Sequence, residues 1–223
     1  MKATDSIVKR RSEQTRRRQE HSNDTRASLV DAAKEAFGEH GYAATSLEDV
    51  AERARVTKGA LYHHFDNKRE LFLHVTRDLR QEMALRALER LAAKVGPTEW
   101  DESGDVWERI VDGCIAYLEA VSEDLVFQRL VVLEGPGVLG LEAWLEETEA
   151  EYEPIAQRWI DQAVDARLIA PGSKALGHLL GALLETASRE VVRAGDDPAA
   201  RAEVAELVRR MLNGLTLSAA SGT

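Results

Sequence analysis

A single cysteine, Cys114, stands among 223 residues, so neither an intramolecular disulfide framework nor a multi-cysteine metal site can form. It reads as a small apolar residue in a helix. Aromatic residues are scarce, at 5%, and no long alternation of apolar with polar residues appears, which argues against sheets. No apolar run approaches the length that spans a bilayer. The charged N-terminal residues lead into no apolar stretch, so a secretory signal is missing. Also lacking are a nucleophile elbow, a phosphate loop, a metal-ligand array and a His-centred triad; catalysis, a metal and a cofactor are therefore not expected. What is present is Ala, Leu, Glu and Arg in quantity, with 44% hydrophobic and 30% charged residues. That is the composition of a globular all-α protein, expected in the cytoplasm with no membrane partner.

The net charge of −10 is unevenly placed. Residues 1–76 carry 14 Lys and Arg against 12 Asp and Glu, a balance of +2. Residues 77–223 carry 15 against 27, a balance of −12. An acidic body is repelled by nucleic-acid phosphates, so any such contact falls to the N-terminal third.

Residues 1–24 read as a flexible basic arm with too little apolar surface to fold alone, whose Arg16, Arg17 and Arg18 are candidates to enter a nucleic-acid minor groove or follow its backbone. From Thr25, Leu29, Val30, Ala33, Ala36 and Phe37 recur at helical spacing, and Gly41 supplies a stop. Thr45-Ser46-Leu47-Glu48 has the form of a capping box, Thr45 and Glu48 being its partners, and predicts a short helix to about Ala54. Thr57 caps a second short helix with Leu61 and Phe65 on one face. Asn67 and Glu70 start a long helix running past Leu91. Further helices are predicted over 105–122, 124–133, 139–167, 173–194 and 198–217, punctuated by Gly135-Pro136-Gly137, Pro171-Gly172 and Gly195-Asp196-Asp197-Pro198.

Two short helices joined by a tight connection occur in many bundles; the side chains turned outward are more telling. With Leu61 and Phe65 inward, the second short helix presents Thr57, Lys58, Gly59, Tyr62, His63 and His64. Lys58 and the helix amides suit phosphate oxygen, Gly59 permits close backbone approach, and Tyr62 offers a hydroxyl and an apolar face. Lys68 is placed to clamp a flanking phosphate. Adjacent His63 and His64 diverge around a helix and have no ligand cluster, so a metal site is not expected. The bland readings also stand: Asn67 and Thr45 are wanted as caps in any helical protein, and Tyr62 can pack against the following helix.

The run Thr45-Ser46-Leu47-Glu48-Asp49-Val50-Ala51, then Val56-Thr57-Lys58-Gly59-Ala60-Leu61-Tyr62-His63-His64-Phe65 and Asn67-Lys68-Arg69-Glu70-Leu71-Phe72, resembles the TetR/AcrR family of bacterial regulators. The likeness runs from about Thr25 to Val75. It implies an N-terminal three-helix helix-turn-helix domain over 25–75, followed by a helical ligand-binding and dimerisation domain over 76–218 and a tail over 219–223. It further implies a phosphate contact from Thr45, recognition-helix contacts from Thr57, Lys58, Gly59, Ala60, Tyr62, His63 and His64, and a backbone contact from Lys68. His63 stands where the family often has Tyr or another aromatic. Ala60 offers at most an apolar touch, as to a thymine methyl.

In the remainder, Leu176, Leu179, Leu180, Leu183 and Leu184, then Val204, Leu207, Val208, Met211, Leu212 and Leu215, make two apolar helices, with Gly177 and Gly181 allowing close approach. Two such helices per subunit suit a four-helix homodimer interface, against the alternative of a monomeric core. Trp107, Tyr117, Phe127, Trp144, Trp159, His178 and Glu185 are the candidate ligand residues, with Tyr152 a further aromatic in an exposed acidic stretch. Arg129, Glu134 and Arg189 are further polar partners.

The function expected is a dimeric repressor of transcription, bound to double-stranded operator DNA and released by a small organic molecule. Competing readings are a constitutive or pleiotropic regulator or activator without a ligand, and an enzyme or small-molecule-binding module built on the C-terminal helices.

Overall fold

The computed structural model describes residues 2–95, 106–170 and 175–216, with side chains from residue 22 onward apart from 95, 151 and 153–155. Ten α-helices and one π-helical stretch form among the described residues. Extended pairing among them is limited to one isolated bridge, Ile169 with Thr216. Contacts divide the chain into a head, residues 1–75, and a body, residues 76–223.

The head begins with α1, Lys2–Ala44. Its backbone is helical well before Thr25, where the sequence pattern places the start, so the segment read as a flexible arm is drawn as helix. Physically, a run rich in Arg, Gln, Lys and Glu has high helix propensity. It extends a helix whose nucleation is already met by the packed turns beyond it. The side chains of Arg16, Arg17 and Arg18 lie outside the described residues. Gly41, with φ 83° and ψ 165°, breaks the helix, in line with the stop read from the sequence.

Helix α2, Leu47–Arg53, is capped by Ser46, whose hydroxyl accepts from the Asp49 amide at 3.1 Å while Asp49 accepts from the Ser46 amide at 3.0 Å. The capping box therefore sits one residue later than Thr45 and Glu48, a register the four-residue pattern alone does not resolve. The turn after α2 runs through Arg55 at φ 56°, with the Val56 amide donating to Ala51 at 3.0 Å. That is a helix-ending bend with its left-handed residue filled by arginine rather than glycine. Helix α3, Lys58–His64, is capped by Thr57, which accepts from the Ala60 amide at 3.1 Å. Asn67 accepts from the Glu70 amide at 2.9 Å and starts α4, Lys68–Val95.

Leu29, Ala33 and Phe37 of α1 share a fully buried core with Val50, Leu61, Phe65, Leu71, Phe72 and Val75. Phe72 stands edge-on to Phe37 at 5.5 Å and to Tyr42 at 5.0 Å. Each such side chain contributes roughly 2 kcal/mol by leaving water, and together they fix α3 with Leu61 and Phe65 inward.

The body comprises the rest of α4, then α5 Val106–Glu123, α6 Leu125–Phe127, the π-helical stretch Gln128–Glu134, α7 Gly135–Leu139, α8 Leu141–Asp165, α9 Ala175–Ala194 and α10 Pro198–Asn213. Helix α9 lies at its centre, in contact with α5, α8, α10 and the π-helical stretch. The π turns are not foreshadowed by the sequence pattern, which reads 124–133 as ordinary helix. They bury Leu130 and Val131. Gly135 follows as a buried residue rather than mere punctuation: a Cβ there would sit 2.5 Å from the Trp144 ring. Glycine is thus what admits that indole to the interior of the body.

Candidate nucleic-acid interface and body cavity

On α3 the outward face is Thr57, Lys58, Gly59, Tyr62 and His63, all exposed, with Ala60 and His64 half-buried. Tyr62 is 45% exposed despite its size, so its ring does not pack into the head. Lys58 sits 5.8 Å from the centre of that ring and forms an ion pair with Glu48 of α2. The hydrogen bond from Lys58 holds the Glu48 carboxyl below its ordinary pKa, and the same bond raises the lysine's. Both members are exposed, so a stronger anion can displace the carboxylate at little cost. His63 and His64 stand edge-on at 5.4 Å. Burial, then the neighbouring His63 and Arg26, lowers the His64 pKa. Gly59 has ordinary helical neighbours and open space where a Cβ would be, the nearest atom being the Thr57 hydroxyl oxygen at 3.9 Å.

Two residues of the expected contact set are placed differently. Thr45 is 3% exposed, and its hydroxyl donates inward to Gly41 at 2.9 Å and Ala36 at 3.1 Å. It fastens the end of α1 and has no side-chain atom to offer a phosphate. Lys68 donates to the carbonyls of Tyr42 at 2.8 Å, Thr45 at 2.9 Å and Ala43 at 3.4 Å, with its ammonium 4.3 Å from the Tyr42 ring centre. Three donors are matched by three carbonyls, so Lys68 closes the carbonyl end of α1. In both cases the sequence shows the residue type but not the carbonyls folded around it.

The body encloses a cavity of about 280 Å³. It brings together Trp107, Tyr117, Phe127, Trp144, Trp159, His178 and Glu185 as lining residues. Tyr152, the further aromatic considered for the pocket despite its acidic stretch, lines it as well. Tyr117 meets Phe127 edge-to-face at 6.4 Å, and burial pushes its hydroxyl up to about 12. Burial likewise raises the Cys114 thiol, also in the lining, to about 12, which leaves it protonated and inert. Glu185 accepts from the Trp144 indole at 3.1 Å and from Arg189 at 3.3 Å.

Arg129 and Glu134 pair with each other at 3.1 Å and are not part of the lining. Arg189 is outside the lining as well, donating to Glu185 and to the Thr186 hydroxyl, each at 3.3 Å. Gly181 lines the cavity, with no atom of the chain within 4 Å of where a Cβ would be. The residue that sequence reasoning missed is Arg80, buried to 1% and stacked 5.0 Å from the Trp144 ring centre. An arginine in a helix rich in charge gives no sequence signal of burial.

The family model described as bacterial regulatory proteins of the tetR family matches residues 29–75, and that of the tetracyclin repressor-like C-terminal domain matches residues 107–215. A crystal structure of a TetR-family transcriptional regulator from Pectobacterium atrosepticum superposes with a TM-score of 0.69 at 31% identity, over 89% of this chain and 97% of that one. The chain belongs to the TetR family. Among curated members, the HTH-type transcriptional regulator TtgR of Pseudomonas putida is 48% identical over 69 residues, 28% of this chain and 33% of that protein. The uncharacterized HTH-type transcriptional regulator TtgW of the same species is 30% identical over 127 residues, 54% of this chain and 81% of that protein. The match to TtgR thus spans about a third of its length. The TetR-family fold assigns α2 and α3 to the helix-turn-helix. Among the described residues no helix is long and apolar enough to cross a membrane.

Proposed function

We propose that this TetR-family chain is a dimeric transcriptional repressor that reads operator DNA with α3 and is released by a small organic molecule held in the body cavity. The observation that carries the DNA reading is Gly59. It lies on the exposed face of a short helix, where glycine costs helix stability, and no neighbouring atom of the head needs the space. A closely approaching external surface supplies the missing reason. Tyr62 and His63, large and exposed beside it, and Lys58, held only by an exposed carboxylate, are the groups such a surface would meet. Thr57 and Ala60 lie at the helix start, and half-buried His64 at its end. Thr45 and Lys68 support this set from within.

A two-fold pair of such helices reads two half-sites about one DNA turn apart, which a single two-turn helix cannot match for specificity. The apolar residues available to join two copies are Leu179 on α9 and Leu207 and Met211 on α10, all exposed on helices that pack together. A ligand regulates such a dimer only through different affinities for its DNA-bound and released conformations. Helix α4 belongs to both units and is their covalent link.

The test is selection of duplexes from a randomised library by the purified chain. Enrichment of a near-palindrome, lost with Tyr62→Ala or Lys58→Ala in proteins that still fold and dimerise, supports the reading. No enrichment at modest salt from folded protein refutes it.

A further inference from the structure

Helix α9 lies at the centre of the body, and Gly177, Gly181, Leu184 and Ser188 recur along it at the spacing of one face. That face looks inward: Gly177 and Ser188 are buried, and all four residues line the cavity. At Gly177 the body fills the place of the missing side chain, the Ile160 Cδ1 methyl standing 3.8 Å from where a Cβ would be. At Gly113 of α5, also in the lining, the Trp159 ring does so at 3.5 Å. At Gly181 no atom of the chain comes within 4 Å of that point. Protein interiors are close-packed, and glycine in the middle of a helix costs stability. An inward glycine facing open space is therefore a place the fold keeps clear against its own stability.

The wall sets what fits there. Trp107, Tyr117, Phe127, Trp144 and Trp159 line the cavity, and aromatic rings favour other rings stacked on them or edge-on. Thr148 and Ser188 turn their hydroxyls to the carbonyls of Trp144 and Leu184, each at 2.8 Å. Arg80 and Glu149, of opposite charge, are both in the lining, so charge selects neither an anion nor a cation, and shape is left to discriminate. We infer that Gly181 is a specificity-determining residue of the cavity: it bares a patch of α9 backbone against which a flat, fused-ring aromatic molecule lies, its remaining surface among the rings of the wall. The volume of about 280 Å³ is at the small end of ligand sites and suits such a molecule better than a long or bulky one. As a statement about regulation this rests on the effector reading above; as a statement about binding it does not need DNA.

The test is calorimetric titration of the full chain, without DNA, by two uncharged probes on one carbon skeleton, flat 2-naphthol and puckered decahydro-2-naphthol. The flat probe is expected to bind about tenfold tighter. Gly181→Ala is expected to weaken 2-naphthol about tenfold, as one methyl forced into a fitted space does, and to raise the melting temperature by no more than about 3 °C. Gly181→Leu, which fills the space further, is expected to abolish binding. Gly137→Ala, at an exposed helical glycine outside the lining with equally open space, is expected to leave binding unchanged. Equal affinities of the two probes, no binding of 2-naphthol to the wild-type chain, unchanged binding in Gly181→Leu, or a loss shared by Gly137→Ala would each overturn the inference. So would a lower melting temperature in Gly181→Ala, which would show the space to be filled, or monomers from that variant alone by light scattering, which would assign the glycine to subunit packing. Anisotropy of a selected duplex separates the two claims: 2-naphthol binding with this pattern and operator affinity unmoved would remove the effector reading alone.

Discussion

Replacing Gly59 by alanine is expected to make the protein more stable and a worse DNA binder, two effects of opposite sign from one methyl group. The stability term follows from the head alone. A Cβ at Gly59 meets nothing nearer than 3.9 Å, so no strain offsets the helix propensity of alanine, which exceeds that of glycine by up to about 1 kcal/mol. Near a helix start the gain is smaller, and in a chain of this size it raises the melting temperature by no more than about 3 °C. The DNA term follows from the exposed face. If α3 lies with Gly59 against a groove, each added methyl moves the helix off its contacts. At about 1 to 1.5 kcal/mol per half-site, a two-fold complex loses about 2 to 3 kcal/mol, or roughly 30- to 150-fold in affinity. Gly59→Leu enlarges the loss while keeping the helix. Circular dichroism melts and fluorescence anisotropy with a duplex selected by the wild-type protein measure the two terms. A lower melting temperature would show that the space is not open. Unchanged affinity for DNA would show that Gly59 is not where the surfaces meet, and with it the main support for the proposed function would go.

Other perturbations separate support from contact. Lys68→Met leaves three carbonyls without their donor and is expected to cost the head about 2 kcal/mol, seen as a lower melting temperature. A stable Lys68→Met with a reduced salt slope of DNA binding would return this residue to the phosphate contacts. Ser46→Ala removes the α2 cap at about 1 kcal/mol, whereas Glu48→Gln, outside the capping box, is expected to leave the melt unchanged. Leu179→Glu and Met211→Glu place charges on the exposed apolar faces of α9 and α10 and are expected to give monomers by light scattering, with helical content retained; dimers in both variants would refute the proposed dimer surface. His64 has a pKa lowered by burial, so the unfolded head binds more protons near neutrality and stability rises with pH. The melting temperature is expected to climb between pH 5.5 and 7.5, and His64→Gln to flatten that climb; a climb unaltered in the variant would assign it to other groups.

Periodicity was enough to reveal the helices, because amphipathic repeats such as Leu29, Ala33 and Phe37 are also the buried set. The cavity aromatics were legible for a similar reason: large residues on acidic helices have few places to go but inward. Register and partner choice were not legible. Ser46 and Thr45 are equally good caps on paper, and only the approach of the Gly41 and Ala36 carbonyls decides between them. The π turns at Gln128–Glu134 depend on packing against α9, which local propensity does not encode. Arg80 was missed because charge patterning marks arginine as surface, and its burial depends on the Trp144 ring that Gly135 admits.

Gly59 and Gly135 show why residue type alone misleads. Both are helical glycines; at Gly135 a Cβ would strike the Trp144 ring, while at Gly59 it would meet open space. The first is explained by the chain's own packing and needs no partner. The second has no internal explanation and a stability cost, which is the signature expected of a residue shaped by something outside the chain. The same division sorts the rest of the head. Thr45, Lys68 and Asn67 have their polar atoms matched within it, so their role is to hold α2, α3 and α4 in place. Tyr62 and His63, large and exposed on one seven-residue helix, contribute little to that task. A helix whose buried side fixes its position and whose outer side carries large exposed residues fits the reading head proposed above, with Lys58, Gly59, Tyr62 and His63 as its proposed specificity residues.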